Sequence, residues 1–169
     1  MTARDRLATA RISSNLADDP DRLTDVSVLA AAGMVASGQA VGMALLRLRD
    51  SLDRHAWPFC LAATAQRVRG AYGGRQDRPT EREQHDLAER ILRAWVAPTC
   101  PLCDGRGHQK IIGTPLMSDD PCHVCNGSGR LPIDYGLKGM DREVAHVVAI
   151  WMDKQAHSAG ATIHVKLYD

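Results

Sequence analysis

Four of the five cysteines fall in two copies of one pattern, and no other feature constrains the fold as tightly. The copies read Cys100-Pro-Leu-Cys103-Asp-Gly105-Arg-Gly107 and Cys122-His-Val-Cys125-Asn-Gly127-Ser-Gly129, with 18 residues between Cys103 and Cys122. Each Cys-x-x-Cys turn aims two sulfurs at one point, and the intervening chain returns to complete a tetrahedron. The glycines permit positive φ, so backbone N–H groups can turn toward the thiolate sulfurs. The spacing predicts one zinc ion per chain held by Cys100, Cys103, Cys122 and Cys125, with an iron–sulfur cluster as the alternative. Four thiolates close the coordination sphere and leave no position for catalysis. His108 and His123, in the same module, are expected as exposed polar residues or as partners of the ligands.

The first 20 residues carry Arg4, Arg6 and Arg11 and no apolar stretch, so no secretory leader is read there. A cytoplasmic, reducing setting is therefore expected, which argues against disulfides among the four cysteines. Cys60 sits in the apolar run Trp57-Pro-Phe-Cys-Leu-Ala-Ala and is expected as a small buried hydrophobe.

The rest of the chain is read as helical. Aromatic residues are 4% of the 169, with one Phe, so the core must come from Ala, Leu, Val, Ile and Met. Ala and Leu favour helices, whereas strands want β-branched and aromatic residues. Residues 1–22 are polar and aperiodic and read as a flexible arm. Residues 23–169 are predicted as a single helical domain with the zinc module inserted at about 99–131. Thr24 is an N-cap for a helix running toward Asp50, in which Gly38 and Gly42 leave a smooth face for close approach of another helix. Val26–Leu46 is 21 residues without a charge, yet it contains three Gly and six Ala and reads as a tightly packed helix rather than a membrane span.

A second helix is predicted from about Pro58 to Arg69. Thr80-Glu-Arg-Glu83 is a capping box, and it opens a helix with Leu87, Ile91, Leu92, Trp95 and Val96 on one stripe. Gln109–Ile112 and Gly129–Leu131 are expected as short ribbon strands. Another helix is expected from Asp141 to about His157. Thr162–Tyr168 alternates with period two and reads as a C-terminal strand with Ile163, Val165 and Leu167 on one face. The expected class is mainly α, a helical bundle with an inserted small β zinc ribbon and a short C-terminal β-strand.

Net charge is +1, so there is no global basic field, but 17 of the 21 basic residues are Arg. Arg67, Arg69, Arg75, Arg78 and Arg82 concentrate within Gln66–Arg82 against Asp77 and Glu81. This clustering points to a surface contacting phosphates and bases of double-stranded DNA, with Arg106, Lys110 and Arg130 of the zinc module alongside. A solvated loop is the alternative. No Ser-His-Asp order, P-loop or dinucleotide fingerprint is present, so an enzyme is not expected.

The two Cys-x-x-Cys-x-Gly-x-Gly copies are similar to the zinc modules of DnaJ-type chaperones. Such a chaperone has two zinc sites and a His-Pro-Asp motif, and this chain has one site and no such motif. A wider set of residues resembles the lambda-type late-gene antitermination Q proteins of lambdoid bacteriophages. Leu23-Thr-Asp-Val26 leads to Gly33-Met34 and Gly42-Met43. Ala65-Gln-Arg-Val-Arg-Gly70-Ala-Tyr72-Gly-Gly74 and the two knuckles follow. The resemblance covers residues 23–131, and no match is evident after the second knuckle. It implies a factor, not an enzyme, that binds DNA near a late promoter. Such a factor loads onto paused RNA polymerase by contacts to sigma and the polymerase flap, in the bacterial cytoplasm and at the nucleoid. Arg47 and Arg49, at the basic end of the Gly/Met helix, are candidates for the polymerase or sigma contact. The competing expectation is a DnaJ-like zinc adaptor that holds polypeptide and does not touch DNA.

Overall fold

The structure, a computed structural model, describes Gly33 and residues 39–75, 78–111, 113–114 and 116–168. Within them the chain runs through α1 (Ala40–Asp50), a short 3-10 turn (Arg54–Ala56), α2 (Trp57–Tyr72) and α3 (Glu81–Val96). Strands β1 (His108–Lys110) and β2 (Met117–Pro121) follow, and then α4 (Gly139–Tyr168). The class is mainly α with a small antiparallel hairpin, as the composition predicts. Two compact units divide the chain: Met1–Arg67 with Ile150–Asp169, and Val68–Ala149.

In the first unit, α1 lies directly against α4. A Cβ on Gly42 would strike the Gln155 carbonyl and come within 2.9 Å of the Ala159 Cβ. The smooth face expected at Gly42 is therefore used inside the protein, while its companion Gly38 lies outside the described residues. Gln39 anchors the start of α1 by donating from Nε2 to Thr162 Oγ1 at 3.1 Å. Leu45, Leu46, Cys60, Met152, Ala156 and Ile163 are buried in this unit. Each fully buried Leu, Ile or Met contributes roughly 1.5–3 kcal/mol relative to exposure. Cys60 is fully buried, as expected, and burial pushes its thiol up to about 12. Thr64, also buried, donates its hydroxyl back to the Cys60 carbonyl at 2.7 Å, so no orphan hydroxyl remains.

In the second unit, α3 opens on the predicted capping box. The Glu83 amide donates to Thr80 Oγ1 at 3.3 Å, and the Thr80 amide donates to Glu83 Oε2 at 2.8 Å. Leu87, Ala88, Ile91, Leu92 and Trp95 form its buried stripe. The Tyr72 hydroxyl, at the end of α2, donates to Asp141 Oδ1 in the first turn of α4. Burial and the Asp141 carboxylate both hold that phenol in its protonated, donating form. Asp134 pairs with Arg142 at 2.6 Å and lies 3.3 Å from His146 Nε2.

Several expectations are corrected. Residues 162–168 are helical, not a β-strand: α4 continues to Tyr168. The helical spacing of Met152, Ala156, Ala159 and Ile163 buries all four, which outweighs the local alternation of Ile163 and Val165. Val165, placed by the alternation beside Ile163, is 49% exposed. Gln39 is not helical, so a single helix does not run through the uncharged stretch to Asp50. The start expected at Thr24 and the arm at 1–22 lie outside the described residues. No described helix is long and apolar enough to cross a membrane. Residues Gly129–Leu131 form one bridge, Thr99 to Arg130, rather than a strand. The partner of β1 is β2, which sequence pattern alone does not reveal because Met-Ser-Asp-Asp-Pro carries little strand propensity.

Candidate metal centre

The four knuckle cysteines converge on one buried cluster. Their sulfurs all lie within 4.8 Å of one another. Cys100 Sγ is 3.9 Å from Cys122 Sγ, and Cys103 Sγ is 3.7 Å from Cys125 Sγ. A tetrahedron with metal–sulfur bonds of about 2.3 Å has edges of about 3.8 Å, so the cage has the size a thiolate-bound ion requires. The cysteines are free thiols, too far apart for disulfides. His108 and His123 are exposed and outside the cluster.

The backbone explains why these residues form such a cage. Asp104 and Gly105 have φ of 50° and 79°, and Asn126 and Gly127 repeat this at 48° and 83°. That left-handed pair folds each knuckle back over its own second cysteine. The Gly107 amide then donates to Cys103 Sγ at 3.3 Å, and the Gly129 amide donates to Cys125 Sγ at 3.3 Å. These are the N–H to sulfur bonds the glycine placement predicts.

The knuckles also hold each other, which cysteine spacing alone does not predict. The Cys122 amide donates to the Gly107 carbonyl, and the Cys100 amide donates to the Gly129 carbonyl. A Cβ at Gly107 would collide with the Gly127 carbonyl, and a Cβ at Gly129 with the Gly105 carbonyl. The last glycine of each pattern is thus required by close backbone approach as well as by positive φ. The repetition of the whole eight-residue pattern is the sequence signal for this reciprocity.

The thiols respond to this setting in opposite directions. Burial raises Cys100 against the pull of the Cys103 and Leu102 amides. Burial also raises Cys103, but the Gly107 N–H and the three neighbouring thiols outweigh it and bring it to about 7. The donor set, four thiols with two amide-stabilised sulfurs in a buried cage, is chemically suited to a soft divalent ion.

The arginines sort into two groups. Arg67, Arg69, Arg78 and Arg82 are exposed and have no carboxylate partner among the described residues. Arg75 is exposed, and its Nη1 lies 3.5 Å from the Met140 sulfur. Arg67 and Arg69 flank the buried Val68 and so leave α2 on opposite sides, about 200° apart. Arg106 and Arg130 are exposed on the module, while Lys110 is paired with Asp104 at 2.5 Å. Arg47 and Arg49 are engaged within the chain. Arg47 Nη2 meets Asp53 Oδ2 at 2.7 Å, and Arg49 reaches Asp50 at 3.2 Å and Asp153 at 3.5 Å.

The fold and site together define a mainly helical protein carrying a small β-ribbon module whose four clustered cysteines could hold a metal ion. Compared with protein-family models and with curated proteins, the chain matches none.

Proposed function

We propose that the protein is a transcription antitermination factor of the lambda-type late-gene class. In this reading it binds double-stranded DNA near a late promoter and loads onto sigma-containing RNA polymerase. The observation that carries the reading is a set of exposed arginines, Arg67, Arg69, Arg78 and Arg82, in a chain of near-zero net charge. None of the four has a carboxylate partner among the described residues. Guanidinium groups in that state bind phosphates and guanine edges bidentately without first breaking an internal ion pair. The ion is zinc, in a structural role: four thiolates complete its sphere and leave no site for substrate or activated water. The lambda-type residues between 23 and 131 support the same reading.

Run-off transcription past an intrinsic terminator, from the late promoter of the source phage or prophage, tests it. Readthrough that depends on the wild-type protein is the expected result, and its absence overturns the reading.

A second reading is a DnaJ-like polypeptide-binding adaptor. It is favoured by the Cys-x-x-Cys-x-Gly-x-Gly geometry and by the exposed Ile111 and Leu116 on the ribbon. A salt titration of duplex DNA binding separates the two. Phosphate contacts give a steep negative log–log slope, and an adaptor gives no binding at all.

A further inference from the structure

The helical run that begins at Arg54 and continues through α2 buries Ala56, Cys60 and Thr64, four residues apart. Phe59, the one Phe of the chain, falls a residue off that stripe and is 49% exposed. At ~100° per residue, Ala62, Ala63 and Gln66 fall on the same side of α2 as Phe59. Ala62 and Gln66 are exposed and Ala63 is half-buried. His55, exposed and four residues before Phe59, begins that side. Neither the Phe59 ring nor the His55 ring has a partner among the described residues. The result is a smooth, uncharged helix side with two flat rings at its start.

Its charge surroundings are one-sided. From Arg54 to Gln76 the chain carries no Asp or Glu. The carboxylates just before it, Asp50 and Asp53, are taken by Arg49 at 3.2 Å and Arg47 at 2.7 Å. Arg54 and Arg67, at the two ends of the stretch, are exposed and have no partner among the described residues. Free guanidiniums without neighbouring carboxylates favour an anion, and the unpartnered rings favour a planar group. An acidic peptide would satisfy the guanidiniums and leave the rings without a planar partner. A mononucleotide is too short, because α2 rises ~12 Å from Phe59 to Arg67. Duplex bases keep their faces inside the stack, where a ring on a helix surface does not reach them. An unpaired strand presents a base face and a phosphate at every step.

From this we infer that this side of α2 binds single-stranded nucleic acid. Bases stack on Phe59 and His55, and phosphates meet Arg54 and Arg67. Arg67 alone is shared with the proposed duplex surface. The inference goes beyond the antitermination reading, since it concerns strands already unpaired and stands or falls without a promoter.

The test uses zinc-loaded full-length protein and one mixed-sequence oligonucleotide of roughly 12 nucleotides, supplied as single-stranded DNA, as RNA and as duplex DNA. Binding is followed by fluorescence anisotropy, and each variant is checked for zinc content, thermal melting and oligomeric state. Phe59→Ala should weaken single-strand binding by ~tenfold or more and leave duplex affinity unchanged. Phe59→Trp should bind strands as wild type does and Phe59→Leu should not, because leucine is apolar but cannot stack. Arg54→Ala should flatten the log–log salt dependence of single-strand binding by ~0.7. Binding of DNA strands, RNA strands or both sustains the inference and names the source. Wild-type protein that binds neither strand overturns it, and duplex binding in that case leaves the antitermination reading standing. Wild-type protein that binds strands but not duplex overturns the antitermination reading and sustains the inference. Wild-type-like binding by Phe59→Leu, or equal losses for strand and duplex in Phe59→Ala, overturns it. A changed oligomeric state in Phe59→Ala with unchanged strand binding overturns it too and assigns the face to a protein contact. If Phe59→Ala fails to fold, the Trp and Leu variants and Arg54→Ala decide.

Discussion

The backbone amide of Cys122 donates to the carbonyl of Gly107 at 2.7 Å, so the last glycine of the first knuckle seats the first thiolate of the second. The reverse bond, Cys100 to Gly129 at 2.9 Å, makes the relation mutual. Each knuckle is therefore incomplete without the other, and backbone bonds between the two bring the four sulfurs together.

Metal binding should be inseparable from the folding of residues 99–131. Cys122→Ser removes one thiolate, and structural zinc contributes ~10 kcal/mol or more to such modules. The expected outcome is loss of the bound zinc and rapid proteolysis within 99–131. Elemental analysis and limited proteolysis check it, and a variant that keeps one zinc per chain would refute the ligand set.

Glycines of similar φ should differ sharply in tolerance. Gly113 has φ 81° and no atom near its absent Cβ, so Gly113→Ala bears only the left-handed backbone cost, ~1–2 kcal/mol. Gly107→Ala and Gly129→Ala bear the same cost and also drive a methyl into a carbonyl of the opposite knuckle. Competition with a chromogenic chelator should show zinc leaving these two variants far more readily than Gly113→Ala. Equal retention would refute the close-approach argument.

Two of the helical glycines, Gly42 and Gly70, should respond in opposite directions to alanine. Gly42→Ala forces α1 away from Gln155 and Ala159, an overpacking effect of ~1–3 kcal/mol. Gly70, in α2, has nothing within 4 Å of its absent Cβ, so Gly70→Ala should stabilise by up to ~1 kcal/mol. Urea midpoints measure both, and stabilisation by Gly42→Ala would refute the packing.

Asp134 predicts a distinct acid dependence. Burial raises its pKa, but His146 and Arg142 outweigh this and hold it below the ordinary carboxylate range. A depressed folded-state value stabilises the fold above the unfolded pKa of ~4, and this is lost as pH falls through the folded value. The stability difference between wild type and Asp134→Asn should therefore be largest near neutral pH and vanish toward pH ~2. Paired urea titrations across pH measure it, and a difference that grows on acidification would refute the assignment.

The exposed arginines should act through the DNA backbone. Replacing Arg67, Arg69, Arg78 and Arg82 by Ala together should flatten the log–log salt dependence of DNA binding by ~0.9 for each phosphate no longer neutralised. An Arg that reads a guanine should in addition cost ~1–3 kcal/mol and relax specificity at one base. Arg47→Ala and Arg49→Ala should lower stability rather than DNA affinity, because both side chains are committed to Asp50, Asp53 and Asp153. An unchanged salt slope in the fourfold variant would remove these arginines from consideration.

Local chemistry was readable wherever the chain repeats a pattern or closes a short loop on itself. The two Cys-x-x-Cys-x-Gly-x-Gly copies specified the cysteine cage and its amide-to-sulfur bonds, because those bonds span at most four residues within a knuckle. The Thr80 to Glu83 capping box and the stripe from Leu87 to Trp95 were legible for the same reason. What depended on distant partners was not. The alternation at 162–168 is a genuine strand signal by itself. It yields to helix only because α1 brings Gln39 and Gly42 against α4, where burial of Ile163 in register with Met152, Ala156 and Ala159 outweighs local preference. The pairing of Arg47 with Asp53 and of Arg49 with Asp153 was likewise invisible, since charge clustering along a chain does not say which charges are neutralised in space. Sequence alone determined which four cysteines cluster, the helical class and the positions of the cations. Tertiary structure decided the fate of the C-terminal segment and which arginines are held in internal ion pairs, because both depend on residues far apart in the chain meeting in space.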